Sequence, residues 1–420
     1  MRISTNEFLL GSVNDLLAQQ QNVNLLNREI ATGETMLDAS SDPGGASQVV
    51  GLASQIGQLS YDSANGTAAT QNLQNGVSAL DQVTTLLSQL RESAESASNA
   101  TTTPTDRQAA VATAHDLLQQ LVQLANTQSA NGGYIFAGSR ANAPAFSVLA
   151  NGQVTFNGDA ATNEVEIAPS LNVASTISGQ GIFMNVPAGT DGVAVSASAG
   201  NTGSAYALAN GVTNLAQVTA AGLAGTQYDI SFSGSGANLS YQVTSGTGAP
   251  GSAGYAATSG VVASGSYSAG NDIAFAGIDV SLTGSPAAGD SFAVQPGATT
   301  SIFQMVQNLI GALQLPQGGG SSQNTLAQQA LQNVLADLGG AQTSVLSAQA
   351  TLGTGLAEIQ AVQSQDSNAA ANATTQMSDL QSANLPQVLA NYSESLTALQ
   401  AAQLAFAKVQ NLTLFADITP

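Results

Sequence analysis

Apolar residues recur at helical spacing at both ends of the chain. Near the start, Leu9, Val13, Leu16, Gln20, Val23, Asn27 and Ile30 step by alternating fours and threes, the spacing of a two-stranded coiled-coil seam. Near the end, Leu385, Leu389, Tyr392, Leu396, Leu399, Gln403, Phe406 and Gln410 repeat it. Both runs turn polar in their second half, where seam amides weaken packing but fix register and partner. Pro386 suits the first turn of a helix, where its missing N–H costs nothing. The pattern predicts two terminal helices built to pair.

The first helix is expected to stop near Gly33. "SSDP" then reads as a start, with Asp42 as N-cap and Pro43 as the first helical residue. A second seam runs through Leu73, Val77, Leu80, Thr84, Leu87, Arg91 and Ala94. "NATTTPTDRQ" interrupts it, with Thr103 or Thr105 capping a third helix that carries Val111, Leu118, Leu121 and Ala125. From "NGGYIFAGSR" onward the period changes. "GQVTFNGD", "NEVEIAPS", "TQYDISFSGSG", "NLSYQVTSG", "NDIAFAGIDVSLTG" and "DSFAVQPG" alternate and are bounded by turn residues, which predicts an all-β insertion. "SGTGAPGSAGYAATSGVVASGSYSAG" holds few large apolar residues and reads as long surface loops or weak strands.

Helical pattern returns at "TSIFQMVQNLIGALQ". A last long seam follows through Leu331, Leu335, Leu338, Gln342, Val345, Gln349, Leu352, Leu356, Ile359 and Gln363, despite the helix-weakening pair Gly339–Gly340. The order predicts an α+β fold. Long antiparallel coiled-coil helices from both termini would form an elongated rod, with a Gly/Ser-rich all-β domain inserted at its distal end. The expected divisions are a terminal helical part at 1–42 plus 385–420, and a helical rod part at 43–183 plus 298–384. The rod part would include a β-hairpin region at about 134–183, and a β-rich distal part would span 184–297.

Composition narrows the function. The chain has 420 residues, with 6 Lys plus Arg against 26 Asp plus Glu, for a formal net charge of −20. That balance repels nucleic-acid backbones and anionic membrane surfaces alike. With no cysteine there is no disulfide framework, thiolate nucleophile or Cys-ligated metal. Only 8% of residues are charged, so Ser, Thr, Asn, Gln, Ala and Gly must cover the surface. The N-terminal segment lacks the pattern of a cleavable signal, and no run is long and apolar enough to span a membrane. His115, the only histidine, stands beside Asp116 with no nucleophile or second metal ligand in prospect. No enzyme activity, cofactor or metal is expected.

Two paired helices cannot cover each other's apolar surface completely, and a seam left half open marks an interaction site. The residues expected at an assembly interface are Leu9, Val13, Leu16, Val23 and Ile30 with Leu389, Tyr392, Leu396, Leu399 and Phe406. Ser41, Asp42 and Pro43 form the expected helix-junction motif.

These residues also carry a resemblance. "MRIST", "ATGETMLDASSDPGGASQ", "NGGYIFAG", the hairpin stretch from "APAFSV" to "GQGIF", and the tail through "VQNLTLF" are similar to segments of the flagellar hook-associated protein 3 family. "FAGIDVSLTGSPAAGDSFAVQP" resembles a strand motif shared more broadly among flagellins and hook-associated proteins. Ser41 stands where that family usually has an aspartate.

The resemblance implies a flagellin-like rod acting as a structural junction adaptor between hook and filament. It implies export unfolded through the flagellar type III apparatus, with a cytoplasmic export chaperone and no cleavable signal peptide. The implied location is extracellular, on the flagellum. The implied neighbours are hook-associated protein 1, flagellin and further copies of the chain in a ring, with no nucleic acid and no membrane insertion. The alternatives are flagellin itself, built on the same plan, and a secreted surface adhesin with a helical stalk.

Overall fold

A computed structural model describes residues 5–35, 40, 42–99, 103–247, 256–316 and 321–416. The helices are α1 (Thr5–Thr32), α2 (Pro43–Ala97), α3 (Pro104–Ala125), α4 (Leu215–Leu223), α5 (Ile302–Gln314), α6 (Ser321–Gln381) and α7 (Leu385–Ala416). The chain divides into two compact units, Met1–Ala64 with Val362–Pro420, and Asn65–Ala361.

In the second unit, α2 and α6 run antiparallel. Gln328 of α6 reaches the Ser98 carbonyl, and Gln349 donates to Asp81 Oδ1 at 2.7 Å. Glycines let the two helices approach closely at two places. A Cβ on Gly76 would lie 3.3 Å from Leu352 Cδ1, and one on Gly355 would lie 3.3 Å from Leu73 Cδ1. Each leucine sits over the other helix's glycine, so large and small residues interdigitate.

The expected seam is therefore half right. Leu73, Leu80, Leu87 and Ala94 are buried, as are Leu331, Leu338, Val345, Leu352 and Ile359. The second row lies three residues on from these, not four. It comprises Gly76, Val83, Leu90 and Ala97 on α2, and Val334, Ala341, Ala348 and Gly355 on α6. Positions three and four residues away fall on opposite flanks of a helical row, about 60° to one side and about 40° to the other. The helices turn toward the flank that lets their backbones approach.

Thr103, one of the two expected caps, starts α3 with a capping box, exchanging hydrogen bonds with Asp106. Those bonds hold the Asp106 carboxyl below its ordinary range. Arg107 is buried and donates from Nη2 to the Ala312 carbonyl in the last turn of α5, where the helix dipole favours a cation.

Past α3, the hairpins β1 (Phe146–Val148)–β2 (Val154–Phe156) and β3 (Glu164–Ala168)–β4 (Leu171–Ala174) precede a π-turn at Gln180–Met184. Phe136, Phe146, Phe183 and Phe303 pack together here with ring centroids 5.2–6.1 Å apart. The "NGGYIFAG" motif has a local reason. Ile135, Phe136 and Ala137 are buried, and Gly138 sits at φ +69° with the Asp159 carbonyl 2.4 Å from where a Cβ would stand. The Ser139 and Ala161 N–H groups and the Ser139 hydroxyl donate to Asp159 and hold its carboxyl below the usual range.

The remaining strands are β5 (Val186–Pro187), β6 (Val193–Ala197), β7 (Tyr206–Val212), β8 (Gln227–Ser233), β9 (Ser240–Thr247), β10 (Ala256–Ser266), β11 (Ile273–Phe275), β12 (Ile278–Thr283), β13 (Ser291–Pro296) and β14 (Thr299–Thr300). An antiparallel five-stranded sheet, β10-β9-β8-β13-β6, shares one core with a three-stranded sheet, β11-β12-β7. Ile230, Val243, Phe292 and Val294 from the first meet Ala207, Ile278 and Val280 from the second. The stretch read as loops or weak strands contains β10, an eleven-residue edge strand interrupted by register shifts. Bulges of this kind blunt an exposed edge.

Three residues of α6 fix this β region. The Gln329 amide is bidentate on β7, accepting from Ala207 N–H and donating to Ala207 O, both at 2.7 Å. Asp337 accepts from Gly189 N–H at 2.6 Å. Gly340 lies under β5, where an added Cβ would stand 2.5 Å from the Pro187 carbonyl oxygen. Gly339 meets nothing within 4 Å.

The two adjacent glycines should therefore respond oppositely to alanine. Gly339→Ala should stabilise by roughly 0.5–1 kcal/mol through helix propensity. Gly340→Ala should destabilise by about 1–3 kcal/mol through overpacking. Urea melts of the full chain check both.

Asp337 makes a second prediction. Burial raises its pKa from 3.8 to about 6, with the Gly189 N–H opposing the rise. The folded state then binds a proton more tightly than the unfolded chain. The stability linked to Asp337 is fully present below about pH 4 and is lost as pH climbs through about 6. Asp337→Asn should remove up to about 3 kcal/mol of that pH dependence. Melts of both proteins at pH 4, 5, 6 and 7 measure the difference.

Candidate functional site

Among the described residues no group of three or more His, Asp or Glu could hold a metal ion. His115 is exposed on α3. No described helix is long and apolar enough to cross a membrane. The surface with most to explain is the pair of terminal helices in the first unit.

Local signals start and stop these helices. Gly33, at φ +73°, ends α1, and its N–H donates to the Glu29 carbonyl. Thr35 N–H then donates to Gln381 O at 2.7 Å, and Ala383 N–H to Gly33 O at 2.8 Å. This short strap ties the exit of α1 to the entry of α7. Asp42 caps α2, its Oδ1 accepting from Gly45 N–H at 3.0 Å, and Pro43 takes the first helical position. Ser41 and the side chain of Leu9 lie outside the described residues.

From the strap, α1 and α7 pack antiparallel. At the far end Ser12, Asp15, Leu16 and Gln19 share one groove with Ala402, Ala405 and Phe406. The packed face of α1 is Ser12, Leu16, Gln19, Val23, Leu26 and Ile30, and that of α7 is Val388, Tyr392, Ser395, Leu399, Ala402 and Phe406. Val23, Leu26 and Val388 are buried, and the others are half-buried.

The correction found in the middle helices recurs here. Leu16, Val23 and Ile30, with Tyr392, Leu399 and Phe406, lie on the packed face as their spacing predicts. The second row again sits three residues on, at Gln19 and Leu26 and at Ser395 and Ala402. The expected second row, Val13, Gln20 and Asn27 with Leu389, Leu396 and Gln403, faces outward. Val13 is 38% exposed, Leu389 51% and Leu396 37%.

The small residues Ser12, Ser395 and Ala402 take the inside because they let two helices approach. The leucines are displaced to the outer flank. Leu10, Leu17, Leu385 and Leu404 are exposed as well. On α7 residue size separates the two flanks, Ser395 and Ala402 lying inside and Leu396 and Gln403 outside, whereas on α1 the apolar Leu26 lies inside and Asn27 outside. Gln19 Oε1 is buried in the seam without a hydrogen-bond partner, the mark of a seam amide that sets register at a cost in stability.

Comparison with known proteins places this geometry. Residues 3–141 match the bacterial flagellin N-terminal helical region. Flagellar hook-associated protein 3 of Escherichia coli (strain K12) is 30% identical over 176 residues, which is 42% of this chain and 55% of the relative. The chain thus aligns with little more than half the length of that relative. The fold likeness reaches further. The flagellar junction protein FlgL from Legionella pneumophila superposes with a TM-score of 0.68 at 28% identity, over 80% of this chain and 99% of that one. FlgL from Xanthomonas campestris gives a TM-score of 0.65 at 26% identity, over 77% of this chain and 98% of that one. In sequence and in fold the chain is similar to flagellar hook-associated protein 3, and its residues 3–141 match the bacterial flagellin N-terminal helical region.

Proposed function

We propose that the chain is a structural subunit of the bacterial flagellum, the adaptor that joins the hook to the flagellin filament. One observation carries the reading: the terminal pair buries Val23, Leu26 and Val388 and leaves a row of large apolar residues outside. Leu389 and Leu396 are exposed in the single chain, so covering them takes a neighbour. Burying a leucine side chain fully is worth about 1.5–3 kcal/mol, and several per subunit supply the drive for ordered assembly. The likeness to FlgL, which extends over nearly the whole of the solved junction proteins, supports the same reading.

Residues 1–42 and 385–420 are then the assembly part. Leu9, Val13, Leu389 and Leu396 serve contacts with other subunits, and Leu16, Val23, Ile30, Tyr392, Leu399 and Phe406 hold the pair together. The neighbours are hook-associated protein 1, flagellin and further copies of the chain in a ring. Delivery is by the type III export apparatus, with a cytoplasmic chaperone on the ends before export. Assembly orders the terminal helices further, and burial against neighbours offsets the entropic cost of that ordering.

The two rows should separate on mutation. Leu26→Ala, inside the pair, should destabilise the terminal helices by about 2–4 kcal/mol, read by amide hydrogen exchange in the full chain. Leu389→Asp and Leu396→Asp should leave that exchange within about 0.5 kcal/mol of wild type. In cells lacking the native gene, both Asp variants should be exported yet leave hooks bare. Wild-type amounts of either variant in purified hook–filament structures would refute the proposed interface.

Deletion of the gene tests the role itself. Intact hooks, no filaments and free flagellin in the medium are expected. Hooks with no flagellin anywhere would make this chain the flagellin, and normal filaments would favour an adhesin.

A further inference from the structure

The seam of the first unit contains two carboxylates where its heptad pattern calls for apolar side chains. On α6 the buried row Leu331, Leu338, Val345, Leu352, Ile359 reaches Asp366 at its next step, and Ala373 continues it. On α2 the small row Gly76, Ala69 leads back one heptad to Asp62. Asp62 is only 3% exposed and Asp366 8%. Gln58 Nε2 donates to Asp62 Oδ1 at 2.9 Å, but Asp62 Oδ2 and Asp366 Oδ2 are both buried with no hydrogen-bond partner.

A buried carboxylate needs a donor or a cation to offset its desolvation. None is supplied. Among the described residues, Asp62 is the one charge acting on Asp366, and it is of like sign. On α2, Tyr61 is exposed. On α6, the flanking carboxylates Glu358 and Asp379 are exposed. Glu166 of β3, whose carbonyl accepts from Asn65, is exposed and has its own donor in Ser170 N–H. A proton shared by the two carboxyls would supply the partner that the orphaned oxygens lack. One proton gives one carboxyl a donor and the other an acceptor, and removes one of two repelling charges.

We propose that Asp62 and Asp366 form a proton-operated switch in the α2–α6 pair of the first unit, closed when they share a proton and loosened when both ionise. Burial, and then the charge of Asp62, raises the Asp366 carboxyl above its ordinary range. The folded pair consequently binds its proton more tightly than the open one. Its stabilising effect is present in acid and is lost as pH rises through the raised value. The switch stands apart from the proposed assembly row, since neither aspartate lies on α1 or α7.

Amide hydrogen exchange in the full chain tests this, with rates corrected for intrinsic chemistry between pH 4 and 8. Wild type should open around Asp62 and Asp366 severalfold more often at pH 8 than at pH 4. Asp366→Asn, which keeps the shape and supplies an N–H donor, should hold acid-like protection at both values, and Asp62→Asn should do the same. A second measurement covers a variant that fails to fold. Spin labels at Ser60→Cys and Asn368→Cys, exposed sites in a chain without native cysteine, should show a wild-type distance distribution that broadens from pH 4 to 8. Protection or distances in wild type that do not change with pH would overturn the proposal. So would a pH response that survives in both Asn variants.

Discussion

The close approach of helices through small side chains governs this structure. Gly76 under Leu352 and Gly355 under Leu73 show the interaction at its most direct, with each contact 3.3 Å from where a Cβ would stand. Once that row is turned inward, every other position on the helix is assigned. The row that shares both flanks is buried, and in α1 and α7 the row four residues on faces out. In α1 and α7 the same rotation puts Ser12, Ser395 and Ala402 inside and leaves Val13, Leu389 and Leu396 at the surface. An exposed leucine row on the terminal pair is thus a consequence of how the pair packs. It is also the feature on which the proposed assembly rests.

The β region depends on the same device used differently. Gly340 admits the Pro187 carbonyl against α6, and Gln329 and Asp337 supply the polar groups that backbone atoms of β7 and Gly189 need on that helix. A side chain at residue 340 would hold β5 away from the helix and strain both bonds. Gly339, one residue earlier, has no such contact, so the helix-weakening pair contains one glycine with a packing role and one without.

How much of this was legible follows from what each signal measures. Spacing located the helices, and it found the shared row in α1, α2, α6 and α7, because heptad repetition survives in Leu16, Leu80, Val345 and Leu399. The alternating spacing then placed the second row on the wrong flank, against hydrophobicity in α1 and α2, where Leu26, Val83 and Leu90 are buried and Asn27, Thr84 and Arg91 are not. Leu389 and Leu396 are greasier than Ser395 and Ala402, yet packing distance favours the smaller pair. Asp42 and Pro43 were readable as a helix start because capping is local. The strand at Ala256–Ser266 was obscured by its Gly- and Ser-rich composition, since it draws its order from pairing with β9. Helix α4 was missed because nine residues give too few turns for a period, although Asn214 accepts from Gln217 N–H as an N-cap should. The Asp62–Asp366 pair joins residues on two helices far apart in sequence, and no local pattern announces it.

The central claim is that the leucine flank is open in the single chain and closed by neighbours in the flagellum. Thiol alkylation rates test it most directly, since the chain has no native cysteine. Leu396→Cys and Ala402→Cys would each be introduced into the full chain and probed as purified monomer and in isolated hook–filament structures. The account predicts that residue 396 reacts fast in the monomer and residue 402 slowly, with both protected after assembly. A Leu396→Cys thiol that reacts as fast in the assembled structure as in the monomer would contradict it.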